Sequence, residues 1–312
     1  MKGLEISKAY AQEYGIPMLL DKFYQYMNKV AVGLVGEGSE CFGFDDQFSQ
    51  DHDFGAGFCI WLPEEEYSKI GAQLQNAYNE LPKNYMGYER QSTYCGADRV
   101  GAISIERFYG RYIGLDRAPR DNMEWLRIPE TFLATATNGQ VFLDNLGKFS
   151  DIRSTLLGFY PKDVVKKKIA ARLAVMAQSG QYNYIRSINR GSNEAAYMAC
   201  NEFVKAALSI IYLINEHYMP FYKWSFKGLE KLTKLKGAAS KLSDLIGICD
   251  NLENAARKQQ IIDEICNEIV CELNLQGFTR TTDTFLETHG LEIMDTIEDS
   301  RLRNMHIMLD AR

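Results

Sequence analysis

Residues 30–62 are VAVGLVGEGSECFGFDDQFSQDHDFGAGFCIWL. The apolar run from residue 30 to 35 predicts a buried strand, and residues 57–62 predict a second one. Between them lie a glycine-serine turn, residues 36–43, and an acidic loop that contains Asp51 and Asp53. Glycine lets the backbone approach a ligand closely and turn its N–H groups toward an anion. The stretch therefore predicts a mixed sheet with a phosphate-binding turn at the end of one strand.

The two aspartates add a metal-binding pattern to this turn. Asp51 and Asp53 are separated by one residue, and on a strand such residues point to the same face. Ser39 supplies a hydroxyl donor ahead of them. Two carboxylates that converge beside a phosphate-binding turn are what Mg²⁺ bound to a nucleoside triphosphate requires. The segment thus predicts a nucleotide site that depends on a metal.

The composition of the chain argues against several classes of protein. The chain has 312 residues and a formal net charge of −6, which argues against a diffuse basic field for nucleic acid. Its seven cysteines are scattered and form no C-x-x-C pair, so neither a zinc site nor a disulfide framework is expected. The first residues, MKGLEISKAY, lack the apolar core of a signal peptide, and no apolar run is long enough for a membrane span. We expect a cytoplasmic protein without a membrane partner.

The two halves of the chain differ in their secondary-structure patterns, and together they predict an α+β fold. Residues 1–160 alternate helical patterns at 4–14, 17–28 and 64–81 with strand patterns at 30–35, 57–62, 100–105 and 140–143. Residues 161–312 contain helical patterns alone, from Pro161 onward, at 193–219 with Pro220 as its stop, and at 238–275. The predicted domains are a mixed β-sheet catalytic domain, 1–160, and an all-α helical bundle, 161–312.

Three polar segments have simpler interpretations. Lys166, Lys167 and Lys168 fan out on a helix and are interpreted as a solvated face. The pair Asp45 and Asp46 is interpreted as a solvated loop. Residues 180–192, GQYNYIRSINRGS, are either a polar connection between helices or a segment that contacts the acceptor or base.

The order of these motifs resembles a known superfamily. Gly38-Ser39, eleven intervening residues and then Asp51-His52-Asp53 resemble the signature of the polymerase-beta-like nucleotidyltransferases. GSECFG is similar to the GSxxxG form found in small-molecule nucleotidyltransferases, and GQVFLDNLGKF, 139–149, resembles a strand that closes their catalytic domain. LINEHYMPFYKWSF, 213–226, is similar to the helical half of a bacterial branch with a C-terminal helical domain. The resemblance covers about residues 15 to 230.

The resemblance implies a function and roles for individual residues. It implies transfer of a nucleoside monophosphate from a triphosphate, ATP being the family's commonest donor, to an acceptor hydroxyl, with Mg²⁺ as cofactor. Gly38 and Ser39 would hold the triphosphate, and Asp51 and Asp53 would bind the metal. A third carboxylate often follows on a later strand, and Glu106 is the candidate, with Asp144 and Glu89 as alternatives.

Two departures from the family pattern keep other functions open. Ser49-Gln50 precedes Asp51 where the family has a serine alone, and His52 replaces an apolar residue between the aspartates. The leading hypothesis is transfer to a small molecule, as in relatives that modify aminoglycosides and lincosamides. The alternatives are a protein-adenylylating enzyme of the antitoxin type and a nucleotide-binding regulator without turnover.

Overall fold

The computed structural model describes residues 1–50, 54–89 and 99–310, with the backbone alone for Ser49, Gln50 and Glu89. The chain divides into two units. The first comprises Met1–Pro119 and Ile128–Phe159, and the second comprises Arg120–Arg127 and Tyr160–Arg312. Every strand of the described residues lies in the first unit, so the predicted α+β class, a mixed sheet followed by helices, is confirmed.

The strands are short, and they are β1 Ala31–Leu34, β2 Cys59–Leu62, β3 Asn84–Tyr85, β4 Tyr88–Glu89, β5 Gly101–Ser104 and β6 Gln140–Asp144. The α-helices are α1 Gly3–Tyr10, α2 Ile16–Lys22, α3 Ser39–Phe42, α4 Glu64–Glu80, α5 Ile105–Ile113, α6 Asn122–Arg127, α7 Glu130–Thr137, α8 Lys148–Leu157, α9 Lys162–Met176, α10 Ile185–Asn189, α11 Asn193–Ile214, α12 Tyr222–Leu229, α13 Lys236–Gly247, α14 Ala255–Leu275, α15 Leu286–Asp295 and α16 Ser300–Arg303. Two π-helical segments, Ala11–Gly15 and Ala177–Tyr184, and two 3₁₀ segments, Tyr24–Lys29 and Gln47–Gln50, complete the helical structure of the described residues.

Four strands form the main sheet of the first unit in the order β5-β2-β1-β6. β1 is antiparallel to both β2 and β6, whereas β2 is parallel to β5. All four residues of β1 and of β2 are buried, which explains why both appear in the sequence as continuous apolar runs. The predicted mixed sheet is therefore built around the two strands that flank the glycine-serine turn.

Helices cover both faces of this sheet. Alternate strand residues such as Val32 and Ile60 pack on one face against a core that includes residues of α1 and α4. On the opposite face, Trp61 stacks on Phe149 of α8 with ring centroids 4.0 Å apart, and Phe108 of α5 meets the Trp61 ring edge-on at 5.5 Å. The helix α4 begins after Pro63 with three glutamates in its first turn, where the helix dipole favours acidic side chains.

The second unit is organised around α9, which is buried on nearly every side. It packs against α11 and α15. The helix carries on into the π-helical segment Ala177–Tyr184 and then α10, so residues 180–189 are helical and not the polar connection that the sequence suggested. A helix without a polar face is typical of the centre of a bundle.

The interpretation of Lys166, Lys167 and Lys168 as a solvated face is wrong for two of the three residues. Lys167 and Lys168 are 0% and 1% exposed, so they do not form a solvated face. Lys167 Nζ donates to the carbonyl oxygens of residues 306, 307 and 309 at 3.2, 2.7 and 2.8 Å. Lys168 Nζ and Arg172 Nη1 both contact Asp310 Oδ2, at 2.7 and 3.2 Å. Buried charges need such partners, and here a distant segment of the chain provides them.

The helix α11 meets the length and composition of a membrane span, with a mean hydropathy of 1.3, although the sequence predicted no such stretch. However, 67% of its apolar window is buried inside the protein. Core helices of soluble proteins pass the same test, so the composition of α11 is explained by packing.

Candidate functional site

The turn that leaves β1 depends on two glycines. Gly36 and Gly38 have φ angles of +126° and +115°, which L-residues rarely adopt. A Cβ atom on Gly36 would lie 2.9 Å from Tyr112 Oη, and one on Gly38 would lie 2.4 Å from Arg99 Nη2. The predicted glycine turn at the end of the first strand is therefore confirmed as a feature of the backbone. It leads directly into Ser39, the first residue of α3.

Asn138 fixes one side of this turn. Its Oδ1 accepts a hydrogen bond from the Gly36 amide at 2.9 Å, and its Nδ2 donates to the Gly36 carbonyl at 2.7 Å. The next residue, Gly139, donates from its amide to the Cys41 carbonyl at 2.7 Å. A Cβ on Gly139 would lie 2.0 Å from the Leu34 carbonyl oxygen, so only glycine allows this approach. In the sequence this Asn-Gly pair lies directly before the strand pattern at 140–143, and nothing local reveals its contact with the turn.

Arg99 fixes the other side of the turn. Its Nε donates to the Glu37 carbonyl at 2.8 Å, and its Nη2 is bonded to the Glu40 carboxylate. Both side chains are nearly inaccessible, with 10% and 6% exposed. A buried ion pair that also binds the backbone holds the turn in one conformation. The sequence offered no reason to select Arg99, because it lies far along the chain from the turn.

The end of the turn carries three hydrogen-bond donors, two backbone amides and one hydroxyl. Within the ranges that the structure describes, the amide groups of Gly38 and Ser39 and the Ser39 hydroxyl make no hydrogen bond. Ser39 is 8% exposed. Asp51, His52 and Asp53 lie outside the described residues, so their proximity to Ser39 stays a prediction. In the described ranges, no group of three acidic, histidine or cysteine side chains is arranged to hold a metal ion.

Glu106 lies on a helix and not at the end of a strand as expected. It is in the first turn of α5, and its carboxylate is 21% exposed. Oε1 accepts from Lys148 Nζ at 2.5 Å, and Oε2 accepts from the Glu64 amide at 2.8 Å. Both bonds would have to be exchanged before Glu106 could bind a metal. Its role as third carboxylate stays a prediction.

Of the two alternatives to Glu106, the structure describes the side chain of Asp144 but not that of Glu89. Asp144 accepts from the amides of Gly147 and Ser150 at 2.9 and 2.8 Å, so it caps the start of α8. Of Glu89, only the backbone is described.

Asp45, which the sequence placed in a solvated loop, is 7% exposed and accepts from the Gly3 amide at 3.0 Å.

A cavity of about 520 Å³ adjoins the Arg99 side of the turn. Three of its lining residues are arginines, Arg99, Arg107 and Arg111. Arg111 Nη2 lies 3.4 Å from the carboxylate of Glu37, a residue of the turn itself. The cavity and the turn are thus joined through Glu37.

Comparisons with known proteins give a partial match to a family and one distant structural likeness. A family model described as Domain of unknown function (DUF4037) matches residues 125–225. No curated protein matches the chain significantly. Among solved structures, a nucleotidyltransferase-like protein from Exiguobacterium sibiricum 255-15 is similar over 95% of this chain and 88% of that one, with 10% identity and a TM-score of 0.41. At this identity and score, the likeness does not identify a reaction.

Proposed function

We propose that the protein is a metal-dependent nucleotidyltransferase that moves a nucleoside monophosphate, AMP from ATP, to a hydroxyl of a small-molecule acceptor. The observation that carries this proposal is the first part of the glycine-serine turn, residues 36–39. Two glycines with positive φ form it, and Asn138 and Arg99 hold it from two sides. It precedes Asp51 and Asp53 in the order that the motif requires.

The turn would bind the phosphates of the donor. The Gly36 amide is occupied by Asn138, whereas the amides of Gly38 and Ser39 and the Ser39 hydroxyl have no partner among the described residues. Two consecutive backbone amides and a neighbouring hydroxyl are the kinds of donor that bind the oxygens of a phosphate group. Because buried contacts already fix the backbone, little reorganisation is needed when charge develops during transfer.

Asp51 and Asp53 would hold Mg²⁺. Their carboxylates are the hard oxygen ligands that this ion prefers. Glu40, whose carboxylate is held in a buried pair with Arg99, is therefore a poor competitor for the ion. When bound, Mg²⁺ neutralises charge on the phosphates and orients the reacting groups.

The reaction is an in-line displacement at phosphorus. The acceptor oxygen forms a bond to the α-phosphorus while the bond from that phosphorus to the bridging oxygen breaks. Pyrophosphate leaves with the electron pair, and the hydroxyl proton passes to a base or to water. The residues of the turn contribute by positioning the α-phosphate for this attack.

The proposal is tested by following pyrophosphate. We expect release when the protein is incubated with ATP, Mg²⁺ and a cell extract, and we expect Asp53→Asn to lower it by orders of magnitude because a metal ligand is lost. Asp21→Asn removes the same charge at an exposed position of α2 and should leave release unchanged.

Label from α-phosphate-labelled ATP separates the functions. Label in the small-molecule filtrate supports the proposal, whereas label on a protein band favours a protein-adenylylating enzyme. Nucleotide binding without release of pyrophosphate, with Mn²⁺ as well as Mg²⁺, would identify a regulator and refute transfer.

A further inference from the structure

The cavity beside Arg99 is large enough for a small molecule of its own. Its volume of about 520 Å³ lies within the range of about 300–1,000 Å³ that is typical of ligand sites. Its lining includes Tyr67 and Gln75 of α4, Arg99, Ala102 of β5, and Arg107 and Arg111 of α5. Of the site residues predicted from the sequence, Gly38, Ser39 and Glu106 are described, and none of them lines it.

Two of the arginines are available for exchange of partners. Arg107 and Arg111 are one turn apart on α5, so they project from the same side of the helix. Arg107 Nη2 lies 2.8 Å from Glu64 Oε1, and these side chains are 60% and 37% exposed. The pair of Arg111 with Glu37 is longer, 3.4 Å, with 39% and 51% exposed. Exposed pairs contribute little to stability because water screens them, so a ligand anion can replace either carboxylate.

The remaining walls are fixed. The Arg107 guanidinium lies 5.1 Å from the centroid of the Tyr67 ring, a cation–π contact that orients its plane. Gln75 Oε1 accepts from the Ala102 amide at 2.8 Å, and the Tyr67 hydroxyl lies 3.4 Å from the Ala102 carbonyl. An aromatic wall with two guanidinium groups suits an organic molecule that carries a phosphate or carboxylate, because a guanidinium can bind either group with two hydrogen bonds.

We propose that this cavity binds the acceptor, and that the acceptor is a small molecule with a phosphate or carboxylate group. The inference rests on the proposed transferase function, in which the donor phosphates occupy Gly38 and Ser39. Glu37 joins the two places, since its carbonyl accepts from Arg99 and its carboxylate contacts Arg111. A ligand anion that replaces the Glu37 carboxylate at Arg111 therefore lies next to the donor turn.

Inorganic phosphate tests the cavity without metal or nucleotide. In the presence of EDTA, phosphate should raise the melting temperature of the full chain above its value in chloride of equal ionic strength, because it binds the folded state. The double variant Arg107→Gln/Arg111→Gln should lose this rise. Lys69→Gln, an exposed cation on α4 outside the cavity, should keep it. The single variant Arg107→Gln changes an exposed side chain and should lose part of the rise even if the double variant folds poorly.

No rise in the wild type, or an equal rise in all variants, would overturn the cavity as an anion site. A second titration distinguishes the acceptor from the donor's polyphosphate as the source of the anion. If the double variant Arg107→Gln/Arg111→Gln binds ATP with Mg²⁺ with the Kd of the wild type, the cavity is separate from the donor site, as proposed. If the double variant binds ATP more weakly, the cavity belongs to the donor and the acceptor assignment is wrong.

The anion site and the transferase function can be refuted independently of each other. Phosphate binding should persist in Asp53→Asn, since no metal takes part in it. Loss of the phosphate effect alone leaves the transferase proposal to its pyrophosphate test, whereas absence of pyrophosphate release with intact phosphate binding refutes transfer but not the anion site.

Discussion

Gly38 combines a positive φ with a neighbour that leaves no room for a side chain. Its φ of +115° is unfavourable for any residue with a Cβ, and that atom would lie 2.4 Å from Arg99 Nη2. Arg99 is held by Glu37 and Glu40, so it cannot retreat without releasing the turn. The effect of a methyl group at this position is therefore transmitted to the whole turn.

We expect Gly38→Ala to lower pyrophosphate release about tenfold or more, since strain of about 1–2 kcal/mol and displacement of Arg99 both disturb the phosphate donors. Gly114→Ala is the matched control, because Gly114 also has a positive φ, +69°, but nothing lies within 4 Å of its Cβ position. That variant should lose stability through its own left-handed strain while its release of pyrophosphate is unchanged. Equal loss of activity in both variants would show that strain alone, and not the contact with Arg99, is responsible.

Single residues also show where sequence reasoning stops. The glycine turn was predictable because its signal is local. Lys167 and Asp45 were wrongly assigned to solvated surfaces, because their partners are residues 306–309 and Gly3, which no local pattern connects to them. Arg99 and Asn138 were missed for the same reason, since both act on the turn from distant positions in the chain.

At the scale of elements, the main strands and α4 agree with the sequence, while the helices around them differ. α5 was missed because it begins directly after β5, at Ile105, with no loop between them. The predicted helix 238–275 is two helices, α13 and α14, separated by residues 248–254. α11 ends at Ile214 and not at residue 219 as predicted. The Asn215 side chain accepts from the Lys234 amide at 2.9 Å and donates to the Ile211 carbonyl at 2.8 Å, which ends the helix early.

Two helical glycines give a paired prediction within the first unit. Gly15 ends a π-helical segment with helical angles, φ −68° and ψ −55°, and its Cβ position lies 2.3 Å from Cζ of the buried Phe58 ring. Gly110 lies in α5 with nothing within 4 Å. We expect Gly15→Ala to destabilise the fold by about 1–3 kcal/mol through overpacking. Gly110→Ala should stabilise it by about 0.4–1 kcal/mol, because alanine favours the helix and restricts the unfolded chain.

Chemical denaturation measures both changes. We expect the two substitutions to change the free energy of unfolding in opposite directions, although helix propensity alone predicts stabilisation in both variants. If Gly15→Ala proves as stable as Gly110→Ala, the close packing of Phe58 on this segment is wrong.

At the scale of the whole molecule, buried charge makes stability depend on pH. Burial lowers the pKa of Lys167 from 10.5 to about 8, with Asp310 opposing the shift and Arg172 and Lys168 adding to it. Between these values the unfolded chain holds a proton that the folded chain has released. The free energy of unfolding attributable to this lysine therefore increases with pH from about 8 to 10.5, and is constant below that window.

The comparison with Lys167→Met isolates this contribution. The difference in melting temperature, wild type minus variant, should increase as the pH rises through this window, because methionine does not titrate. Lys162→Met, at an exposed position of the same helix, should show no such trend. A difference independent of pH would mean that Lys167 keeps its proton in the folded state throughout.

The sequence predicted a single domain boundary, between residues 160 and 161, from the change of pattern there, and that division stays a prediction. Arg120–Arg127 nevertheless belongs to the second unit. Arg301 Nη1 lies 3.2 Å from Asp121 Oδ2, and Asn122 Nδ2 donates to Asp299 at 3.0 Å, contacts over about 180 positions that a sequence pattern cannot reveal.

The contacts of Gln75 and Tyr67 with Ala102 also affect how this protein meets other copies of itself. β5 is an edge strand, and edges with free amides and carbonyls invite strand addition, domain swapping and fibril growth. At Ala102 both backbone groups already have partners on α4, in a hydrogen bond of 2.8 Å and a weaker one of 3.4 Å. An incoming strand would first have to displace two side chains of the same molecule, so α4 protects this edge of the sheet from aggregation.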